Sequence, residues 1–320
     1  MALLDVKDRK ILYELDFNSR KTYSEIAKKI RMSKRGVEYK IKNLEKKQII
    51  LGYAPIINIS KLGYLYCRIF VKFQNITKDK LKEIEHYIIT NKKIGWSIKY
   101  YGKYDNGFTI WAKNISEFKS IANEFYSRFS TYIKERTESI ATNVFFYKNR
   151  YLLKDDCMDY LELIETEEKR NLDNLDKNIL IALSKNPRIS QIEISRILNV
   201  SIKTVSSRLK KLIKENILLG TRPTINHELL GYTYYKIFMN LVNFNPQRIK
   251  QFESYIASNH RTIYIIKAMG TCDLDIEIMV ESNKELVHFI EDLQNKFPTL
   301  IKDYQTMLLT DTVKITYLPF

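Results

Sequence analysis

The sequence predicts an α+β chain built from two copies of one unit, each a three-helix head followed by a βαββαβ domain. Three observations carry this. The 320 residues match themselves when slid by 168 positions: 8–64 aligns with 176–232 without a gap, and 22 of those 57 pairs are identical. The first part of each copy sets apolar residues at helical spacing behind Ser, Thr or Asp caps. The second part changes period, alternating strand-like aromatic and branched stretches with amphipathic helical ones. Beyond Tyr64 the offset holds more weakly, pairing Gly102 with Gly270 and Asp105 with Asp273, and it fades near Tyr151.

Taken in order, Asp8 is expected to cap a first helix with Ile11, Leu12 and Leu15 on one face. Thr22 (Ser190 in copy two) precedes Glu25 by three residues, a capping-box spacing, ahead of a short helix with Ile26 and Ile30 inward. Ser33 opens a third helix with Val37, Ile41 and Leu44 inward, repeated as Ser201, Val205, Leu209 and Leu212. Ile49 to Tyr53 reads as a short strand and turn suited to a wing, and Pro55 fits an edge or linker strand. Three short helices with a tight turn before the last, then that strand, make a winged helix-turn-helix. The rest reads as strand 64–73, helix 79–90, strands 94–101 and 108–112 around a turn, helix 116–129 and strand 140–147. That order is the ferredoxin-like split, whose open sheet face needs a cover, usually another copy. The expected domains are 1–53 and 173–221 (heads), 54–151 and 222–320 (sheet domains), and a connector at 152–172. The connector, with Leu161, Ile164 and many Glu, reads as a helix between the copies.

Composition narrows the function. Lys plus Arg is 53 against 37 for Asp plus Glu, a net charge of +16, which favours a polyanionic partner, most simply nucleic acid. Residues 5–50 carry 14 basic and 7 acidic side chains, and 173–220 carry 9 and 4, so both heads are basic. Sheet domain one (64–151) is also basic, 16 against 8, whereas sheet domain two (232–320) is near neutral, 9 against 10. Cys67, Cys157 and Cys272 form no close pair, so neither a disulfide framework nor a cysteine zinc site is supported. The start, Met1-Ala2-Leu3-Leu4-Asp5, lacks a secretory pattern, and no run approaches the roughly 18 apolar residues that span a membrane. A cytoplasmic protein without a membrane segment is expected. The four histidines occupy unrelated positions in the two copies, and no phosphate loop, GxSxG or HExxH motif appears, so neither an enzyme nor a cofactor is expected.

Both copies resemble the Lrp/AsnC (leucine-responsive, feast/famine) transcription regulators. The residues are Asp8-x-x-Ile11-Leu12-x-x-Leu15, Glu25-Ile26-Ala27, Ser33-x-x-x-Val37 and Ile41-x-x-Leu44-Glu45-x-x-x-Ile49-Ile50-x-Gly52, with Gly-x-x-Asp at Gly102/Asp105 and Gly270/Asp273. The resemblance implies double-stranded DNA as partner, dimerisation through the open sheets, further assembly, and a small effector such as an amino acid. Family members usually carry one unit per chain, so the duplication implies a pseudo-dimer within one chain, with a homo-oligomer of such chains open.

The DNA-binding candidates lie on the third helices: Ser33, Lys34, Arg35, Glu38, Tyr39, Lys40 and Lys42 in copy one, and Ser201, Lys203, Thr204, Ser206, Ser207, Arg208 and Lys210 in copy two. Arg35 and Lys203, off the apolar stripe, are expected at base edges or phosphates; Lys40 and Arg208 are expected as phosphate clamps because the family usually places a basic residue there. For any one lysine the plain alternative is a solvated side chain. The two helices differ: Lys34-Arg35-Gly36 stands against Ile202-Lys203-Thr204, and Glu38-Tyr39 against Ser206-Ser207. A symmetric dimer reads a palindrome, so this chain should read an asymmetric operator. The effector candidates are Gly102, Asp105, Gly270 and Asp273, for which an ordinary β-turn is the other reading. Two further functions stay open. One is an architectural, chromatin-like DNA-binding protein. The other is a siroheme-decarboxylase-like enzyme, a class that resembles these regulators. Its Trp-Pro-Tyr-Asn-type segment is missing here, since Trp96 precedes Ser97-Ile98.

Overall fold

The computed structural model describes residues 4–164, 169–316 and 318–319. Met1 to Leu3, read above for a leader, and the connector's Glu-rich middle at 165–168 lie outside them. Head one comprises α1 (Val6–Leu15), α2 (Tyr23–Ile30) and α3 (Lys34–Lys46). Asp5, rather than Asp8, caps α1. Its carboxylate accepts the Asp8 N–H at 2.8 Å, while the Asp8 carboxylate accepts the Asp5 N–H at 3.2 Å. This reciprocal box satisfies two orphan donors and starts the helix nearly a turn earlier than expected. Thr22 and Glu25 form the expected box on α2, and the Ser33 hydroxyl caps α3 through the Gly36 N–H at 3.0 Å.

After α3 come β1 (Ile50–Ile57), β2 (Leu65–Phe73), α4 (Lys78–Thr90), β3 (Ile94–Tyr101), β4 (Asn106–Ala112), α5 (Ile115–Phe129) and β5 (Ile133–Tyr147). This is the expected βαββαβ order after β1. The last strand begins seven residues early because its first half pairs with β2 through charged residues, Lys72 opposite Glu135 and Val71 opposite Arg136, which show no apolar alternation. The connector is not a helix where it is described. Tyr160–Glu162 forms β6 against the end of β5, and Leu163 and Ile164 are buried in the core of head one. An open strand edge with unpaired backbone groups outweighs the local helical pattern.

Copy two repeats the plan. Its head is α6 (Asn174–Lys185), α7 (Gln191–Leu198) and α8 (Ile202–Lys214), capped by Asp173, Ser190 and Ser201. Its remaining elements are β7 (Leu218–Ile225), β8 (Thr233–Leu241), α9 (Pro246–Ser258), β9 (Thr262–Met269), β10 (Leu274–Val280), α10 (Asn283–Lys296) and β11 (Ile301–Ile315).

The copies are joined twice. The strand after the third helix of each head is completed by the other copy: β1 and β7 form an antiparallel ribbon in which Ala54 faces Arg222, its own repeat equivalent. A pseudo-twofold axis therefore passes between those two residues. Pro55 and Pro223 are tolerated because a two-stranded ribbon has only edge strands. The sheet domains join into a ring of order β2-β4-β3-β11-β8-β10-β9-β5, closed by pairing of β5 with β2. Each copy's last strand bonds to the other copy's outer strand, so the closed barrel leaves no edge in the ring. Alternation along β2 sends Cys67, Ile69 and Val71 outward against α4 and α5, and Arg68 and Phe70 inward. Inside, Phe70 meets its equivalent Phe238 edge to face at 5.1 Å.

Candidate nucleic-acid interface

Each head seats its third helix on an apolar stripe, Val37, Ile41 and Leu44 in α3 and Val205, Leu209 and Leu212 in α8. The turn before that helix is closed by a residue in the left-handed region, Arg31 (φ 54°) and Asn199 (φ 51°). The stripe leaves the opposite face to solvent. On α3 that face presents Ser33, Lys34, Arg35, Lys42 and Tyr39, the last 72% exposed. Glu38 is half-buried and bonds Lys42 at 2.8 Å, which holds its carboxyl below the usual glutamate range. On α8, Ser201, Ile202, Lys203, Ser207 and Lys210 are exposed, and Thr204 and Ser206 are half-buried. The expected reading-face residues thus come together on one surface per head, and the two surfaces differ in chemistry.

Lys40 and Arg208 are engaged elsewhere. Lys40 bonds Asp5 at 2.6 Å and Asp8 at 3.0 Å; Arg208 bonds Asp173 at 2.5 Å and Asp176 at 3.3 Å. Partial burial opposes the charge on Lys40, but the hydrogen bonds to Asp5 and Asp8 leave its pKa raised. The hydrogen bond from Arg208 to Asp173 raises the arginine likewise. Both cations therefore tie the recognition helix to the N-terminus of the first helix of its head. The sequence held a signal for this: Asp5/Asp173, Asp8/Asp176 and Lys40/Arg208 recur together at the 168-residue offset.

Head one carries an additional clamp that sequence reasoning missed. Arg222 of the ribbon reaches the buried Asp16 at 3.2 Å and lies 3.9 Å over the Phe146 ring. The Asn149 N–H donates to the same carboxylate at 2.7 Å. Beside it, the Phe17 and Ser19 backbone pairs with Thr221. In head two the equivalent positions are Ser184 and Ala54, which form no ion pair. A cavity of about 310 Å³ lined by Tyr53, Ala54, Ser184, Thr224 and Thr316 lies there instead. No motif announces the clamp, because its residues lie in three distant segments.

The Gly-x-x-Asp turns lie at the seams of the barrel. A Cβ on Gly102 (φ +146°) would sit 3.0 Å from the Thr306 carbonyl oxygen, and one on Gly270 (φ +101°) 2.3 Å from that of Glu138. Each glycine lets its turn cross the other copy's last strand. Asp105 accepts the Phe73 N–H at 2.8 Å and pairs with Lys72 at 2.6 Å; Asp273 accepts the equivalent Leu241 N–H at 2.7 Å. Beside the turns, Tyr101 and its equivalent Met269 are 78% and 62% exposed.

Known proteins match both heads and the two-unit fold. The winged helix-turn-helix DNA-binding family matches residues 4–50 and 172–218. An uncharacterized HTH-type transcriptional regulator of Pyrococcus furiosus is 32% identical over 146 residues, 46% of this chain and 97% of that protein. One from Pyrococcus horikoshii is 30% identical over 149 residues, 47% of this chain and 92% of that protein. The crystal structure of the siroheme decarboxylase NirDL superposes with a TM-score of 0.64 over 98% of this chain and 94% of that one, at 15% identity, so the two share a fold across both units. Among the described residues no helix is long and apolar enough to cross a membrane. With two capped, basic, solvent-facing recognition helices and a relative of one-unit length matched nearly end to end, the chain belongs to the Lrp/AsnC family of DNA-binding, HTH-type transcription regulators, and it holds two units of that family.

Proposed function

We propose that the two heads read unlike half-sites of one asymmetric DNA operator at a spacing set by the ribbon. The observation behind this is that α3 and α8 expose different side chains while β1 and β7 join them about one pseudo-twofold axis. Arg35 and Lys203 are assigned to base edges or flanking phosphates, Lys34, Lys42 and Lys210 to phosphates, and Tyr39, Thr204, Ser206 and Ser207 to contacts that differ between the half-sites. The Ser33 and Ser201 caps set the register of each helix. Lys40 and Arg208 could grip a phosphate only by loosening their aspartates, so seating the helix is their first role. The protein acts in the cytoplasm, by binding, without a catalytic step or a cofactor.

Control by a small effector such as an amino acid is assigned to the Gly102/Asp105 and Gly270/Asp273 turns, and assembly of several chains to the same face. The exposed Tyr101 and Met269 support a covered surface there. Asp105 and Asp273 already bond backbone and, for Asp105, Lys72, so a ligand would engage the turn backbone and these neighbours first.

Selection from a random duplex pool at about 150 mM salt tests the reading, with salt fixed because phosphate-driven affinity falls steeply with it. An asymmetric motif is expected, and the Arg35→Ala/Lys203→Ala chain should lose it. Perfect palindromes, or a motif indifferent to the double substitution, would overturn it. Binding without any motif would favour an architectural role. A second, enzymatic reading comes from the two-unit fold shared with NirDL. At 15% identity that likeness carries the fold alone, and uptake of sirohaem colour by the purified chain is the observation that would favour it.

A further inference from the structure

We propose that a buried charge cluster inside the barrel makes the two sheet faces selective for each other, so that copy one pairs with copy two and rejects a second copy of itself. Arg68, Lys236, Asp275 and Glu277 are all buried. Arg68 reaches across the copies to Asp275 at 2.5 Å and donates to Ser139 at 2.9 Å. Lys236 bonds Asp275 at 2.8 Å and Glu277 at 2.5 Å, and the Tyr234 hydroxyl also donates to Glu277.

The repeat shows how the faces diverged. Arg68 and Lys236 are equivalents, each with its cation above the equivalent phenylalanine, Phe70 or Phe238. Asp275 and Glu277, however, stand opposite Gly107 and Thr109 in copy one. Among the described residues, face one therefore buries one cation, a formal charge of +1. Face two buries one cation and two carboxylates, a formal charge of −1. Joined to each other they sum to zero. Two copies of face one would bury +2 with no carboxylate, and two copies of face two would bury −2. An unpaired buried charge is strongly unfavourable, and a buried polar contact is best suited to fixing which partner docks and in what register. Twofold dimers of identical units must keep self-complementary faces; a tandem chain is free of that constraint. The cluster keeps two unlike heads on one scaffold.

The test is made on the full chain with a protease site substituted at 165–168, cut after folding, unfolded in denaturant, refolded and weighed by native mass spectrometry. Unlike pairs should exceed each kind of like pair by about tenfold or more. The Arg68→Met/Asp275→Asn chain keeps the Lys236–Glu277 pair and makes all three pairings neutral inside the barrel, so like pairs should rise at least several-fold toward chance, one of each kind for two unlike, the bias that remains coming from the Arg222–Asp16 pair between the copies. Chance proportions in the unaltered protein, unchanged selectivity in the double variant, or no rejoining of the unlike halves would each overturn the proposal.

Discussion

Two glycines separate chain geometry from packing. Gly270 holds a positive φ with a partner carbonyl where its Cβ would go, so Gly270→Ala should destabilise the protein by at least about 1 kcal/mol, read as a lower denaturant midpoint. Gly36, inside α3, would bring a Cβ 2.9 Å from the flexible end of Met32 and 3.1 Å from the Ser33 hydroxyl, with no backbone in the way. Gly36→Ala should instead hold or raise stability, by up to about 1 kcal/mol, because alanine favours the helix. A fall in DNA affinity without loss of stability would identify Gly36 as a point of close backbone approach. Lys314 offers a pH signature. Burial lowers its amine to about 8, although it donates to the Asn91 carbonyl at 2.7 Å. The unfolded chain, near 10.4, holds the proton where the folded one has lost it, so the Lys314 contribution to stability should rise between about pH 8 and pH 10. A Lys314→Met chain should lose that rise in a stability–pH series.

At the level of elements, local physics made the heads legible. Caps act over three residues and helical stripes over seven, so α2, α3 and their copies follow from Thr22, Ser33, Ser190 and Ser201. Even the misplaced cap on α1 lies within the same box, since Asp5 and Asp8 bind each other. The ribbon was legible only as a strand, because the partner of Ala54 is 168 residues away. The clamp on head one was not legible at all: Asp16, Phe146 and Arg222 acquire meaning only once the barrel and ribbon bring them together. Arg222→Ala should leave Asp16 buried without its cation, costing about 3 kcal/mol, and hydrogen exchange should quicken in α1 and α2 while α7 and α8 stay unchanged. Equal quickening in both heads would show that the clamp serves the whole ribbon rather than one head.

Across the whole molecule, duplication, charge and the βαββαβ order of elements were readable, whereas the order of strands in the sheet and closure of the barrel were not. The strand pattern predicted open sheets needing a cover, but edge pairing of β11 with β3 and β5 with β9 depends on register, which side-chain type alone does not specify. For the same reason nothing local marked Arg68 and Asp275 as partners; they meet only because both faces close over them. The net charge of +16 makes DNA affinity salt-dependent, with a slope of about 0.9 in log–log terms per phosphate contact. Lys34→Ala and Lys210→Ala should each lower that slope by about 1 without changing the selected motif. The claim on which the rest depends, that each head reads its own half-site, is tested most directly by hydroxyl-radical footprints of Arg35→Ala and Lys203→Ala chains on the selected duplex. The expected result is loss of protection over one half-site with Arg35→Ala and over the other with Lys203→Ala. Uniform weakening across both half-sites in each variant would contradict it.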